Sequence, residues 1–135
     1  MPLTVIDFSD VYFVILQKGT VPPLRGGKFI VMANHGDRCA GFSPRELSVY
    51  HANVVERLLL RHGIRGHYNM KGDVYYYDAP GWTVEGGGLW RLDQRRGTLE
   101  IFGRSASYGA VDLDELAAEL RQAGAFGGAE VIVPE

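Results

Sequence analysis

The sequence lacks several features that would indicate particular classes of protein. It contains one cysteine, Cys39, so no disulfide bond can form within the chain. The formal net charge is only −2 at pH 7, which gives no general attraction to nucleic acid or to an anionic membrane. No segment approaches the roughly 20 apolar residues of a membrane-spanning helix, and the N-terminus lacks a signal-peptide pattern. We therefore expect a cytoplasmic protein that binds neither nucleic acid nor membranes.

Sequence motifs for common cofactors are absent as well. The chain has no Walker loop, dinucleotide-binding fingerprint or serine nucleophile elbow. His35, Asp37 and Cys39 alternate, and His62 and His67 lie close in sequence, but neither spacing matches a set of three or four metal ligands. We therefore predict no metal and no organic cofactor.

The residues that are present fit one domain. Of the 135 residues, 46% are hydrophobic and 22% are charged, which is enough for a single core. Strand-like and helix-like segments follow one another without strict alternation, which is typical of an α+β fold. We expect residues 1–135 to form a single domain in which two α-helices flank a central mixed β-sheet of about six strands.

The strands are predicted from runs of β-branched and aromatic residues. The run at residues 11–16 is the most continuous, so we expect it to be a central strand. The other predicted strands span residues 28–32, 67–70, 74–78, 82–92, 98–102 and 129–133. Loops are expected at residues 20–27 and 34–41. Asp112 is expected to cap a helix that ends near Gly124.

Another helix has the clearest start signal in the chain. Ser43 suits an N-cap, Pro44 suits the first helical position, and Glu46 completes a capping box. This pattern predicts a helix over residues 44–62, with Gly63 as its stop.

His51 is the histidine best placed for chemistry. It falls within this predicted helix, and apolar residues at helical spacings place it on or beside the apolar face. Those residues are Leu47, Val54, Val55 and Leu58. A histidine in such a position is either a hydrogen-bonded part of the core or a catalytic group that titrates near neutral pH.

Three consecutive glycines interrupt the strand predicted at residues 82–92. Gly86, Gly87 and Gly88 weaken a strand, so their presence requires a structural reason. We expect a β-bulge there, or a close approach of another backbone or a ligand.

The loop after residues 99–102 has the composition of an anion-binding turn. Its backbone N–H groups and the hydroxyls of Ser105 and Ser107 can donate hydrogen bonds to a phosphate, and Arg104 can supply the opposite charge. An ordinary polar exit from a strand has the same composition, so the loop alone does not establish a site.

Three motifs in order resemble a known family. Tyr-His-Ala-Asn at residues 50–53, the glycine triplet, and Gly-x-Ser-x-x-Tyr-Gly at residues 103–109 are similar to the Janus/Ocnus family, which includes protein-histidine phosphatases. The similarity extends from about residue 11 to the final strand, and it is tightest over residues 50–53 and 86–109.

The resemblance implies a phosphatase that removes the phosphoryl group from phosphohistidine in proteins without a metal. By position, it assigns the role of nucleophile or general base to His51. It also implies that main-chain amides hold the phosphate, and these are the amides of Ala52, Ser105, Ala106 and Ser107. Because the family places its histidine at the start of a helix, we predict a break near Tyr50, with residues 43–49 as a separate turn or short helix.

Two basic residues of the family are missing from their expected positions. The family's first strand carries a lysine where our alignment places Tyr12, and the arginine that follows the glycine triplet is replaced by Leu89. Arg91, on the same strand face as Leu89, and Arg104, beside Ser105, are the predicted substitutes for these charges. The more distant basic candidates are Lys28 and Lys71.

The chain is also longer than the family pattern at residues 34–47 and 67–81. Five aromatic residues in or beside the second insertion predict either a hairpin that enlarges the sheet or a wall around a small-molecule pocket. These residues are Tyr68, Tyr75, Tyr76, Tyr77 and Trp82. The partner is accordingly a phosphorylated protein or a small phosphorylated molecule. Two alternative functions are a phosphatase for small phosphate esters and a non-catalytic phosphate-binding module.

Overall fold

The computed structural model describes residues 3–135 and confirms the α+β fold. These residues form a mixed sheet of six strands in the order β1-β3-β2-β6-β7-β8. Its strands are β1 (Leu3–Asp7), β2 (Leu24–Asn34), β3 (Asp37–Pro44), β6 (Trp82–Asp93), β7 (Thr98–Phe102) and β8 (Glu130–Ile132). The two edge strands pair in parallel with their neighbours, and the inner strands pair antiparallel.

A two-stranded hairpin and four helical segments complete the described chain. The hairpin consists of β4 (Gly66–Tyr68) and β5 (Tyr75–Tyr77). The α-helices are α1 (His51–Leu60), α2 (Leu113–Ala123) and the single turn α3 (Ala125–Gly128), and a π-helix spans Val11–Leu16. No helix within residues 3–135 combines the length and apolar character needed to cross a membrane.

Alternation along β2 sends neighbouring side chains to opposite faces of the sheet. Ile30 and Met32 are fully buried against α1, whereas Phe29 and Val31 are fully buried in the cluster that includes α2. The two main helices therefore lie on opposite faces, as predicted. Each face has its own core, and burial of apolar surface in both cores holds the three layers together.

The predicted central strand at residues 11–16 is wrong. This segment is the π-helix, and Val14, Ile15 and Leu16 are 44%, 66% and 57% exposed. The central places of the sheet belong to β2 and β6, which are 11 and 12 residues long and pair along their length. A run of β-branched residues does not form a buried strand when longer strands already occupy the interior of the sheet.

The expected loop at residues 34–41 is also wrong, because most of it is strand β3. The chain turns at His35 and Gly36, which have φ values of 51° and 90°. Asn34 then pairs with Asp37 across the turn. Two central residues with positive φ are the signature of the tight type I′ hairpin turn. The expected loop at residues 20–27 likewise ends early, since β2 begins at Leu24.

The capping box at Ser43 is not used, but the predicted break near Tyr50 is confirmed. Ser43 and Pro44 end β3, and α1 begins at His51 rather than at Pro44. Phe42 explains the difference, since it is fully buried in strand pairing with β2 and holds this segment in the sheet. Residues 45–50 form the separate connection between strand and helix.

The C-terminal half agrees closely with the predictions. Asp112 caps α2 by accepting a hydrogen bond from Glu115 N, and Gly124 ends the helix with φ of 64°. The predicted hairpin forms as β4 and β5. It makes a separate two-stranded sheet, however, so the prediction that it enlarges the main sheet is wrong.

Candidate functional site

The glycine triplet contains both of the predicted features, a bulge and close approaches. The pairing of β2 with β6 shifts by one residue beside Gly86. A Cβ atom on Gly86 would lie 2.6 Å from Ala110 O, and Gly87 N donates a 3.0 Å hydrogen bond to Gly109 O. This part of β6 therefore holds the loop of residues 105–109 against the sheet.

Gly87 makes room for His51, and Gly88 makes room for Phe29 on the other face. A Cβ atom on Gly87 would lie 3.0 Å from His51 Cδ2 and 2.5 Å from Phe29 O, and one on Gly88 would lie 2.6 Å from the Phe29 ring. His51 Nε2 lies 2.8 Å from Gly88 O. Glycine at position 87 thus lets the imidazole ring lie directly against the strand.

His51 is the first residue of α1 and is only 8% exposed. Because a carbonyl oxygen can only accept a hydrogen bond, Nε2 carries the proton that is donated to Gly88 O. In the neutral ring, the lone pair is then on Nδ1. Nδ1 has no hydrogen-bond partner within residues 3–135. It is not among the fully buried polar atoms, so solvent can reach it.

The surroundings of His51 favour its neutral form. Burial is the main cause that lowers the pKa of His51, and the positive charge of Lys28 lowers it further. The hydrogen bond to Gly88 O opposes these effects in part. At neutral pH the side chain is therefore an uncharged imidazole with one available nitrogen.

The start of α1 is held in place by side chains. Tyr50 has extended backbone angles, and its N–H donates to Asn53 Oδ1 at 2.8 Å. Asn53 Nδ2 donates to Tyr68 OH at 3.1 Å, and Tyr68 OH donates to Glu56 Oε1 at 2.6 Å. Burial and the bond to Glu56 raise the pKa of Tyr68 to about 12. This chain of bonds fixes the helix end that carries His51.

The loop of residues 105–109 is closed by its own hydrogen bonds. Ser105 N donates to Gly109 O at 3.1 Å, Gly109 N donates to Ser105 O at 2.9 Å, and Ser105 Oγ accepts from Tyr108 N at 3.0 Å. Ser105 is fully buried. Its amide is therefore already used, and the structure places it inside the loop rather than facing a ligand.

A cleft of 330 Å³ opens beside His51. It is lined by residues from two strands, α1, the hairpin and the loop, namely Lys28, Tyr50, His51, Lys71, Asp73, Leu89, Arg104, Ala106 and Ser107. Three cations and one acidic side chain thus surround the imidazole. The acidic residue is Asp73, 3.8 Å from Lys71 Nζ. The local charge is positive although the chain as a whole carries a net charge of −2.

The predicted phosphate-binding residues divide into two groups. Ala106, Ser107 and Arg104 line the cleft, and the amides of Ala106 and Ser107 make no hydrogen bond in the described part of the chain. Ala52 is fully buried and has no surface in the cleft. Ser105 supports the loop, as described above.

The two predicted substitutes for the missing charges lie in different places. Arg104 lines the cleft and forms no ion pair with any residue from 3 to 135. Arg91 lines a neighbouring groove, and its Nη2 lies 3.3 Å from Glu100 Oε2. The structure therefore brings Arg104 to His51 and does not bring Arg91 there.

The prediction that Tyr12 lies in a first strand is wrong. Tyr12 lies in the π-helix, outside the sheet. Lys28 on β2 is the strand lysine that faces His51. The sequence names Lys28 only as a more distant candidate, because its approach to His51 depends on the pairing of β2 with β6.

The aromatic insertion does not wall this cleft. Tyr75 and Tyr77 belong to the core cluster around α1, or pack against it, while Tyr76 is 51% exposed. The hairpin instead brings the charged residues Lys71 and Asp73 of its turn to the edge of the cleft. The prediction of an aromatic pocket is therefore wrong in geometry.

Residues 3–135 contain no cluster of three or more His, Cys, Asp or Glu side chains that could hold a metal ion. No protein-family model matches this chain, and no curated protein matches it. The similarity to the Janus/Ocnus family thus remains a prediction from the three motifs.

Proposed function

We propose that this chain is a phosphatase that hydrolyses phosphohistidine in proteins, with His51 as the reacting group. The observation that carries the proposal is the state of the His51 ring. Its Nε2–H is held by Gly88 O, and its Nδ1 is free beside a positively charged cleft. The polar atoms of a purely structural core histidine are normally hydrogen-bonded, whereas this ring keeps one solvent-accessible nitrogen without a partner.

In one mechanism, His51 is the nucleophile. Nδ1 attacks phosphorus, an N–P bond forms at His51, and the P–N bond of the substrate breaks as its imidazole leaves and takes up a proton from solvent. Water then cleaves the phosphorylated His51, which releases inorganic phosphate and restores the neutral ring.

In the other mechanism, His51 is a general base. Nδ1 accepts a proton from a water molecule whose oxygen attacks phosphorus, and the P–N bond of the substrate breaks in the same displacement. The leaving imidazole takes up a proton from solvent, and His51 then releases its proton to solvent. The two mechanisms differ in one intermediate only. Acid-labile radioactive phosphate trapped on His51 during a single turnover would support the nucleophile.

The residues around His51 suit the charge of a transferring phosphoryl group. Lys28 and Arg104 are cations, and the amides of Ala106 and Ser107 are unengaged donors at fixed positions. Phosphoryl transfer depends mainly on positioning and on such electrostatic stabilisation of the equatorial oxygens. No step of either mechanism requires a metal.

A protein substrate is favoured over a small phosphate ester. The small-molecule alternative depended on aromatic residues that would enclose the ligand, and none of Tyr68, Tyr75 and Tyr76 lines the cleft. At 330 Å³ the cleft lies at the lower end of ligand-pocket volumes, and its charged border does not enclose the organic part of a small ester.

The test is the release of inorganic phosphate in excess chelator from a phosphohistidine peptide and from a panel of small phosphate esters. We expect His51→Ala to abolish release from the peptide. His67→Ala is the matched control, because His67 is exposed on the hairpin and lies outside the cleft. Faster turnover of an ester than of the peptide would favour the small-molecule alternative. Phosphate binding without any turnover would contradict the enzyme and indicate a binding module.

A further inference from the structure

The face of the sheet that carries α1 is only partly covered by that helix. Ile30 and Met32 are buried beneath α1. Lys28, Leu89 and Phe102 stand side by side on β2, β6 and β7, in register and on the same face, and they are only half-buried. The uncovered part of this face is a groove of 490 Å³. Its lining residues are Gly27, Lys28, Arg45, Leu89, Trp90, Arg91 and Phe102.

The groove continues from the His51 cleft. Lys28 and Leu89 line both. A molecule whose phosphoryl group occupies the cleft would therefore extend across Leu89 and Phe102 without leaving the protein surface.

The charges of the groove are unbalanced. Arg45 is exposed and has no ion-pair partner within the described residues, and Arg91 has one contact, of 3.3 Å, with Glu100. The side chain of Arg91 is 56% exposed and lies over the Phe102 ring, 5.9 Å from its centroid. An apolar floor between two arginines favours a chain with an apolar or aliphatic body and a carboxylate at its end.

We propose that this groove, defined by Lys28, Arg45, Leu89, Arg91 and Phe102, binds an extended acidic segment of the substrate protein beside its phosphohistidine. The inference rests on the proposed function, because it assumes that the phosphoryl group lies at His51. It adds a preference for substrates with a carboxylate at a defined distance from the phosphorylated residue.

The distance follows from the strand. The His51 ring lies against Gly87, and Arg91 is four positions further along β6, which is about 13 Å at the ordinary rise of a strand. An extended peptide covers the same distance in about four residues. The preferred position of the Asp or Glu is therefore about four residues from the phosphohistidine.

The experiment compares phosphohistidine peptides that differ at one position, four residues before or after the phosphorylated residue, where they carry Glu, Gln or Lys. Both KM and kcat are measured from phosphate release. The Kd of fluorescein-labelled versions is measured by anisotropy, which needs no turnover. In one of the two series we expect the Glu peptide to have a KM and Kd about three- to tenfold lower than the Gln peptide, with the Lys peptide weakest and kcat similar.

Variants locate the effect. Arg91→Ala and Arg45→Ala should reduce the difference between the Glu and Gln peptides, and the double variant should abolish it. Arg95→Ala is the matched control, since Arg95 is an exposed arginine outside the groove and the cleft. It should leave the difference between the Glu and Gln peptides unchanged. High salt should diminish the preference of the parent protein.

The outcomes separate this inference from the proposed function. Turnover of the Gln peptide with no preference for Glu in KM or Kd would overturn the groove and leave the phosphatase intact. A Glu preference in Kd that depends on both arginines, without turnover of any peptide, would support the groove and contradict the phosphatase.

Discussion

The two faces of the sheet differ in how they use their residues. On the α2 face, Phe29, Val31, Trp90 and Leu120 are sealed in an apolar core. On the α1 face, the apolar core ends at Ile30. The neighbouring cleft and groove are lined by the neutral His51 and by several Lys and Arg side chains. The comparison indicates that one face is an apolar core alone and that the other also carries the candidate site. Substitutions on the two faces should therefore separate folding from activity.

The largest effect on activity, other than the loss of His51 itself, is expected from Gly87→Ala. The new Cβ atom would lie 2.5 Å from Phe29 O and 3.0 Å from His51 Cδ2, so the ring must move. We expect kcat/KM to fall by a factor of about 100 or more, because a displacement of about 1 Å at a reacting group has that cost. Phosphate release and circular dichroism measure activity and folding.

The control for this change is Gly97→Ala. Gly97 has φ of 68° but nothing near its Cβ position, so only the backbone is strained. It should lower stability by about 1 kcal/mol and leave kcat/KM unchanged. Equal losses of activity in both variants would contradict a specific role for Gly87.

Leu120→Ala tests the α2 face. Leu120 is fully buried in that core, and its truncation should lower the free energy of unfolding by about 2–5 kcal/mol. Because the site lies on the other face, kcat of the folded protein should stay the same. Urea denaturation and initial rates at low temperature check the two statements. A fall in kcat with little loss of stability would contradict the claim that the two faces have different roles.

Lys28→Met tests the α1 face. The substitution keeps much of the side-chain volume and removes the charge. We expect kcat/KM to fall about tenfold or more through weaker stabilisation of the phosphoryl group, with stability changed by less than about 1 kcal/mol. The positive charge of Lys28 also lowers the pKa of His51. The acid limb of the pH profile should therefore move to higher pH. An unchanged limb would place Lys28 too far from His51 to act on it.

The smallest effect concerns stability and pH. The folded state lowers the pKa of His51 relative to the unfolded chain, so it binds fewer protons than the unfolded state as pH falls below about 6.5. This histidine therefore stabilises the fold least in acid, and the free energy of unfolding should decline from about pH 6.5 downward. His51→Gln should show a shallower decline. Identical pH dependence in both proteins would contradict the lowered pKa.

Sequence information was sufficient where local chemistry determines the structure. Asp112 and Gly124 mark the ends of α2, and the glycine triplet marks the bulge and the close approach of the Ala110 backbone. It was insufficient where several segments compete for positions in the sheet, because the outcome depends on the whole fold. Residues 11–16 have strand-forming residues but remain outside the sheet, and the helix signal at Ser43 gives way to strand pairing.

The candidate site shows the same limits. His51, Ala106, Ser107 and Arg104 could be named from the three motifs, and the structure brings them to one cleft. The contribution of Lys28 depends on the register between β2 and β6, which no local pattern reveals. The hydrogen bond from Ser105 N to Gly109 O could not be predicted either, because it depends on how the loop folds back on itself.

The central claim is that His51 presents a neutral ring with its proton on Nε2 and a free Nδ1. Nitrogen NMR of the imidazole ring at pH 7 tests it directly, since protonated and unprotonated ring nitrogens have well-separated chemical shifts. We expect a protonated Nε2 and an unprotonated Nδ1, with the Nδ1 signal changing when inorganic phosphate is added. A proton on Nδ1, or a ring that carries both protons at pH 7, would contradict the account.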